Sequence, residues 1–300
     1  MSLENAIGIV NFDGNNGYKD RVNGPRIIMN PSDPIKFAEW HVLAEGDSWF
    51  HFNRIGFQEN LLQELEFSKT TVIVNMAMSG DNIAQMINHH TPGLFNSARV
   101  KAFKDAVAYV KWDFILISAC GNDVIDAFDG GYDVGDKKVQ IIKSCSNPTS
   151  FLDFIDNDSL DATIISIKQS FDILISLVRG IDNRLNLETK IIAHTYDYFT
   201  LRNISGSKST RYKALKRNKV PATYWKQITG LMNDRICVAL LSFNNSIKYP
   251  NVVVVDTLGT LDQADQDEPG NTRHWRNEIH PNRDGYNLIA RKRVNKHLNP

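Results

Sequence analysis

The sequence predicts a single α/β domain: a five-stranded parallel sheet with helices on both faces and two insertions. Three observations carry this reading. Five apolar, often β-branched runs recur along the chain, and they alternate with segments whose apolar residues repeat at helical spacing. Strand–helix–strand alternation requires crossover connections, which pair strands in parallel. The run Phe114–Cys120 is continuously apolar, as parallel strands are when helices cover both faces.

Residues 1–40 are rich in Asn, Gly, Asp and Pro, as in Asp13-Gly14-Asn15-Asn16-Gly17 and Asn30-Pro31-Ser32-Asp33-Pro34. These are turn signals, so this segment reads as an irregular N-terminal arm ahead of a domain at 41–300. The first strand is Val42–Glu45. Ile55, Phe57, Leu61, Leu62 and Leu65 then predict a helix between Asn53 and Glu66. The β-branched run Thr70–Met78 is the second strand, stopping at Ser79-Gly80-Asp81-Asn82. Ile83, Met86 and Ile87 share a helical face after it. A helix from Asn96 to Lys111 leads into the third strand, Phe114–Cys120, which stops at Gly121-Asn122-Asp123. Residues 126–158 are too long for an ordinary strand-to-helix loop and form the first insertion. A long helix follows from about Leu160 to Arg184, with Ile164, Ile167, Phe171, Leu174, Ile175 and Val178 as its stripe. Lys190–Tyr196 is the fourth strand. The second insertion, 199–221, holds Ser205-Gly206-Ser207-Lys208-Ser209 and a cluster of Lys and Arg. A helix at Tyr224–Phe243, a fifth strand at Val252–Val255 and a last helix from Arg283 to about His297 complete the order.

Composition excludes several classes. The 300 residues can bury one sizeable core, and 42% hydrophobic with 23% charged residues is ordinary for a globular chain. Thirty-four acidic and 34 basic residues balance, which argues against a general electrostatic grip on nucleic acid or an anionic membrane. Three cysteines, widely spaced and without a Cys-x-x-Cys pair, fit a reducing compartment and neither a disulfide framework nor a cysteine-rich metal site. The first residues lack a basic stretch followed by an apolar one, and no apolar run reaches membrane-span length. The expectation is a cytoplasmic chain, with leaderless export or a trimmed leader also compatible.

Open parallel sheets bind ligands at the carboxyl ends of their strands. Strand one ends in Gly46-Asp47-Ser48, which places a hydroxyl at that edge. Strand two ends at Gly80, where a missing side chain lets a backbone N–H approach a ligand. Strand three ends at Asn122, whose amide donates hydrogen bonds. After strand five, His280-Pro281 precedes the last helix. Each also has an ordinary reading: a turn at Ser48, a strand stop at Gly80, a helix cap at Asn122 and a loop histidine at His280. All four lie toward one edge in this order. His194 and Asp197 at the end of strand four, and Trp49 beside Ser48, are further candidates for substrate contact. His89-His90 lacks the i, i+4 spacing of a helical metal pair, and neither a metal nor an organic cofactor is expected.

In Gly46-Asp47-Ser48, Ser79-Gly80-Asp81, Gly121-Asn122-Asp123 and His280-Pro281 the chain resembles the SGNH hydrolases, also called GDSL esterases and lipases. Gly-Asp-Ser-Trp and Asn-Glu-Ile-His-Pro resemble a bacterial branch of that family. The resemblance implies a flavodoxin-like three-layer sandwich and hydrolysis of a small or carbohydrate-linked acyl ester. It also implies Ser48 as nucleophile, His280 as general base, and an oxyanion hole from the backbone N–H of Ser48 and Gly80 with the side chain of Asn122. Activity would then fall below about pH 6.5 as the base is protonated. One position departs from the pattern: the family usually has Asp three residues before the histidine, and here it is Asn277. Glu278 or Asp256 substitutes, or a backbone carbonyl completes a Ser–His dyad, or activity is low. Other classes remain open: a hydrolase-fold binding protein that has lost catalysis, or a lipase or phospholipase lidded by the two insertions. Oligomeric state is not legible.

Overall fold

Apolar runs that stop at polar turns leave those turns along one sheet edge. The computed structural model describes residues 7–13, 17–19, 38–51, 53–54, 57–87, 97–179, 185–202, 210–244, 246–266 and 271–299. The strands are β1 (Ile7–Asp13), β2 (Gly17–Lys19), β3 (Trp40–Gly46), β4 (Asn53–Arg54), β5 (Phe57–Gln58), β6 (Thr71–Asn75), β7 (Phe114–Ser118), β8 (Tyr132–Val134), β9 (Lys137–Val139), β10 (Lys190–His194) and β11 (Val252–Val255). The main sheet runs β11-β10-β7-β3-β6-β1-β2. The five expected strands are its β6-β3-β7-β10-β11 core, all parallel. In chain order these are second, first, third, fourth and fifth, the flavodoxin-like arrangement. The order reverses between β3 and β7, so a crevice is expected where Ser48 and Asn122 emerge.

Helices surround this sheet. The long helix Asn157–Arg179 packs with Ile83–Ile87, Ser97–Tyr109, Gly121–Ala127 and Trp225–Leu241. Its expected stripe, Ile164 to Val178, is buried. A second group joins the 3₁₀ turn Leu61–Glu64 to the C-terminal segment, where Arg283–Ile289 continues through a π-helical turn, Ala290–Val294. Among the described residues no helix is long and apolar enough to cross a membrane.

Two expectations are corrected. The 1–40 arm is not wholly irregular: β1 pairs in parallel with β6 from Ile7↔Thr71 to Asn11↔Asn75, and β2 folds back antiparallel on β1. Ile7, Ile9, Val10 and Phe12 carried that signal, short against the turn residues around them. The helix expected between Asn53 and Glu66 is instead the β4–β5 hairpin and the 3₁₀ turn Leu61–Glu64. Asn60 restarts the chain there by accepting a hydrogen bond from the Gln63 N–H, and Leu61 N–H donates to Trp49 O at 2.8 Å. Leu61, Leu62 and Leu65 are buried as their spacing implied, but from a tighter turn. The first insertion has structure of its own, the β8–β9 hairpin and a 3₁₀ turn at Phe151–Phe154. The second contains the helix Thr210–Arg217, so its basic residues Arg211, Lys213, Lys216 and Arg217 are helical. The turn cluster 30–34, His89-His90 and Ser205–Ser209 lie outside the described residues.

Gly46 closes β3 against β7. A Cβ on it would stand 2.6 Å from the Ser118 carbonyl oxygen, so only glycine allows this approach. Gly46→Ala is therefore expected to destabilise the fold by about 1–3 kcal/mol, the usual range for forced overpacking. The midpoint and slope of urea unfolding check this; an unchanged midpoint would mean that the two strands can separate without cost.

Candidate active site

The end of β3 delivers Ser48 at the switch point through a single turn rather than a helix. Phe50 and His51 N–H both donate to Asp47 O, at 3.2 and 3.0 Å. The carboxylate of Asp47 holds this turn from below. It accepts from Trp49 N–H at 3.0 Å, from the Ser118 hydroxyl at 2.8 Å and from the Tyr196 hydroxyl at 2.6 Å. Asp47 is buried, and burial raises its pKa to about 6 against the pull of these donors. One carboxylate thus ties together the ends of β3, β7 and β10. Tyr196 reaches it from a left-handed backbone conformation, φ 65°, and its ring lies where a side chain on Gly121 would be, 2.9 Å from a Cβ built there. Neither Ser118 nor the Tyr196 hydroxyl was singled out from the sequence. Their signal was position alone: both follow apolar strands at the same edge.

His280 comes from the loop 271–282. Its Nε2 lies 2.7 Å from Ser48 Oγ across 232 residues of chain, and both side chains are buried. Several bonds fix that loop. Trp49 Nε1 donates to Ile279 O at 3.1 Å, Arg202 Nη2 to Asn277 O at 3.1 Å, and Arg276 N–H to His280 O at 2.9 Å. Asn282 caps the following helix by accepting from Gly285 N–H and returns its own amide hydrogens to the loop carbonyls Thr272 O and Arg273 O. Burial, with the charges of Arg211 and Arg276, lowers the His280 pKa to about 3. The direction of this shift moves the acid limb expected near pH 6.5 toward lower pH.

Asn277 stands beside the far nitrogen of this ring. Its Nδ2 is 2.9 Å and its Oδ1 3.1 Å from His280 Nδ1, while Oδ1 also accepts from the backbone N–H of Ile279 and His280 at 3.0 and 2.9 Å. The two carboxylates considered as substitutes are engaged elsewhere. Asp256 accepts from Leu258 N–H at 3.1 Å and lies against Thr195 and Cys237. Glu278 is buried, accepts from Arg202 N–H at 3.2 Å and acts on Arg211.

Asn122 lines the cleft with Ser48. One of its amide hydrogens goes to Asp81 O at 2.8 Å. The adjacent Asp123 accepts from Ile83 N–H at 3.1 Å and from the Tyr132 hydroxyl at 3.0 Å. Burial raises the Asp123 pKa to about 7. Neighbouring side chains of one helical turn therefore grip both ends of the segment after Gly80, which itself is exposed with φ 90°.

The three substrate-contact candidates are all bonded into the framework. Trp49 is stacked on His194, with ring centroids 5.1 Å apart, and meets Tyr196 and Tyr286 edge-on. His194 accepts from Tyr196 N–H at Nδ1 and stands 3.0 Å from Ser118 Oγ at Nε2; burial lowers its pKa to about 3. The Asp197 carboxylate accepts from four backbone N–H groups, those of Tyr198, Gly259, Thr260 and Leu261, at 2.7–2.9 Å. Trp49 and Asp197 also contribute to the wall of a cleft beside Ser48, whose apolar side includes Val124, Ile125, Phe199, Ile236 and Ile279. Among the described residues no three His, Cys, Asp or Glu side chains are grouped to hold a metal ion.

A family model described as GDSL-like Lipase/Acylhydrolase matches residues 46–292. Similar solved structures include a lipase from a goat rumen metagenome, at 14% identity over 84% of this chain and 95% of that one, with TM-score 0.46. An extracellular lipase from Streptomyces rimosus is 11% identical over 84% and 98%, TM-score 0.45. A mutant acetyl-xylooligosaccharide esterase from Geobacillus is 17% identical over 85% and 92%, TM-score 0.38. No curated protein matches the chain.

The Asp47 cluster has a pH-dependent signature. Tyr196→Phe removes a hydrogen bond to a buried carboxylate, worth about 1.5–3 kcal/mol when the acceptor is charged. The raised pKa means that Asp47 is protonated in the folded state at pH 5 and largely ionised at pH 7.5. Urea unfolding of the variant should show the larger loss at pH 7.5; an equal loss at both pH values would exclude the ionised carboxylate as the partner that matters.

Proposed function

The chain belongs to the GDSL-like lipase/acylhydrolase family, and we propose that it hydrolyses a small or carbohydrate-linked carboxylic ester through an acyl-enzyme on Ser48. The observation that carries this reading is the 2.7 Å approach of His280 Nε2 to Ser48 Oγ at the mouth of the cleft. In the reactive form Nε2 presents its lone pair and takes the hydroxyl proton while Oγ attacks the ester carbonyl. The tetrahedral intermediate then collapses: the bond to the alcohol breaks, and the proton passes from His280 to the leaving oxygen. Water repeats the sequence on the acyl-enzyme, releasing the acid and restoring Ser48. In this reading the second amide hydrogen of Asn122 and the backbone N–H groups of Ser48 and Gly80 stabilise the oxyanion. One such donor typically contributes ~10²–10³ in turnover.

The apolar wall of Val124, Ile125, Phe199 and Ile236 suits the acyl side of the ester. No cofactor enters the proposed sequence.

Ser48→Ala and His280→Ala are each expected to lower turnover of p-nitrophenyl acetate and butyrate by at least ~10³-fold, the scale seen when members of a catalytic unit are removed. Wild-type turnover in both variants would overturn the proposal. Because the ring is neutral down to about pH 3, kcat/KM should stay level from pH 8 to about 5 and fall only in stronger acid. An acid limb centred near pH 6.5 would mean that burial and the two arginines do not act on the working base.

A further inference from the structure

We propose that Asn277 holds resting His280 in the tautomer with its proton on Nε2, so that the Ser48–His280 pair rests with the base turned off. This inference rests on the hydrolase reading of Ser48 and His280 and says how that site is restrained. It follows from which amide atom of Asn277 faces which partner. Two backbone N–H groups, of Ile279 and His280, point at Oδ1 from 3.0 and 2.9 Å. An NH₂ group in that place would face two donors with no acceptor, so the amide orientation is fixed with oxygen toward the backbone. The NH₂ group is then left beside the ring, 2.9 Å from His280 Nδ1. Nδ2 has only hydrogens to offer, so it bonds Nδ1 only where Nδ1 offers a lone pair, and this contact is shorter than the 3.1 Å from Nδ1 to Oδ1, an oxygen that already takes two backbone donors. A neutral imidazole with Nδ1 unprotonated carries its hydrogen on Nε2. That hydrogen points at Ser48 Oγ, 2.7 Å away, and the serine accepts a bond where catalysis needs it to donate one.

The reactive tautomer remains reachable, because Nδ1 also lies 3.1 Å from Oδ1. An Nδ1–H can share that oxygen with the two backbone donors, at the expense of crowding the Asn277 NH₂ group. The reactive form is thus a second state of the same structure, and Asn277 acts on the reaction through His280 as a positioning residue.

The loop around Asn277 is shaped for a carboxylate. Asn277→Asp keeps one oxygen on the two backbone N–H groups and puts a second where Nδ2 stands, facing Nδ1. The ring would then carry its proton on Nδ1, with Nε2 free to accept from Ser48, and the imidazolium formed during attack would gain a counter-charge. In a serine protease the opposite substitution, Asp to Asn beside the catalytic histidine, costs about 10⁴ in kcat through the wrong tautomer.

The test compares wild type, Asn277→Asp, Ser48→Ala and the double variant Ser48→Ala/Asn277→Asp on p-nitrophenyl acetate. Asn277→Asp should raise kcat by roughly 10²-fold or more with a smaller change in KM, and should move the acid limb upward by more than one pH unit. The double variant should be as inactive as Ser48→Ala. If Ser48→Ala keeps wild-type turnover, the hydrolase reading fails. If Ser48→Ala is inactive while folded Asn277→Asp, shown by an unchanged melting profile, is no faster than wild type, the tautomer proposal fails and the hydrolase reading stands. A second measurement needs no gain of function. In ¹⁵N-histidine-labelled wild type at pH 7, with His280 assigned by His280→Gln, the ring should show a protonated Nε2 and an unprotonated Nδ1; a dominant Nδ1–H signal overturns the proposal even if Asn277→Asp does not fold.

Discussion

The site depends on one buried carboxylate that is not itself a reacting group. Asp47 joins three strand ends by accepting from Trp49, Ser118 and Tyr196. Its pKa, raised from 3.8 to about 6 by burial, means that keeping it ionised at neutral pH costs about 3 kcal/mol relative to a solvated aspartate. That stability is present in acid and lost as pH rises through the folded pKa, so the cluster is least favourable where it is most polar. Such a cost persists only if the surrounding structure fixes the group, and here it does: Gly46 and Gly121 admit backbone and ring contacts that any side chain would block. Ser48 follows directly on this anchored residue. Its position is therefore set by the sheet edge, without the long helix that the sequence suggested would come next.

The same economy appears across the crevice. Asn122 and Asp123 are neighbours on one helical turn, yet they hold two different parts of the segment after Gly80, the Asp81 carbonyl and the Ile83 N–H. Tyr132, from the β8–β9 hairpin of the first insertion, braces Asp123 in turn. Asp126 bonds the Asn82 side chain and feels the charge of Arg211 from the second insertion. The described parts of both insertions thus brace the rim of the cleft.

Much of this was legible in the sequence, and what was not has a physical reason. The five parallel strands announced themselves because buried strands must be apolar along their length. Ser48 and Asn122 were legible because a polar stop after such a strand has few places to go, and His280 through the resemblance of His280-Pro281 to the family pattern. The helix expected after Ser48 failed because Leu61, Leu62 and Leu65 satisfy helical spacing equally well from a 3₁₀ turn pinned by Asn60 and Trp49. The strand Ile7–Asp13 was obscured by the turn residues around it, since short edge strands carry little periodicity. Trp49, His194 and Asp197 were read as substrate contacts, although their polar atoms are engaged by Ile279, Ser118 and the 259–261 backbone. Partnership of that kind is set by tertiary approach and leaves no mark on spacing. The depressed pKa of His280 was likewise hidden, because it comes chiefly from burial and then from Arg211, far along the chain, together with Arg276 of its own loop.

Asn277 brings these strands of reasoning to one point. Around His280 the charges that act on the ring are cationic, and burial works in the same direction. Burial and the two arginines thus favour a neutral imidazole, yet the proposed attack by Ser48 requires that imidazole to become charged. A carboxylate at 277 would relieve the conflict from the one direction where the loop already provides two backbone donors. The amide instead preserves the loop's shape while withholding the charge. In the proposed mechanism geometry and reactivity are thereby separated at a single atom: the scaffold fixes where Ser48 and His280 meet, and the identity of the group facing Nδ1 decides which of them holds the proton.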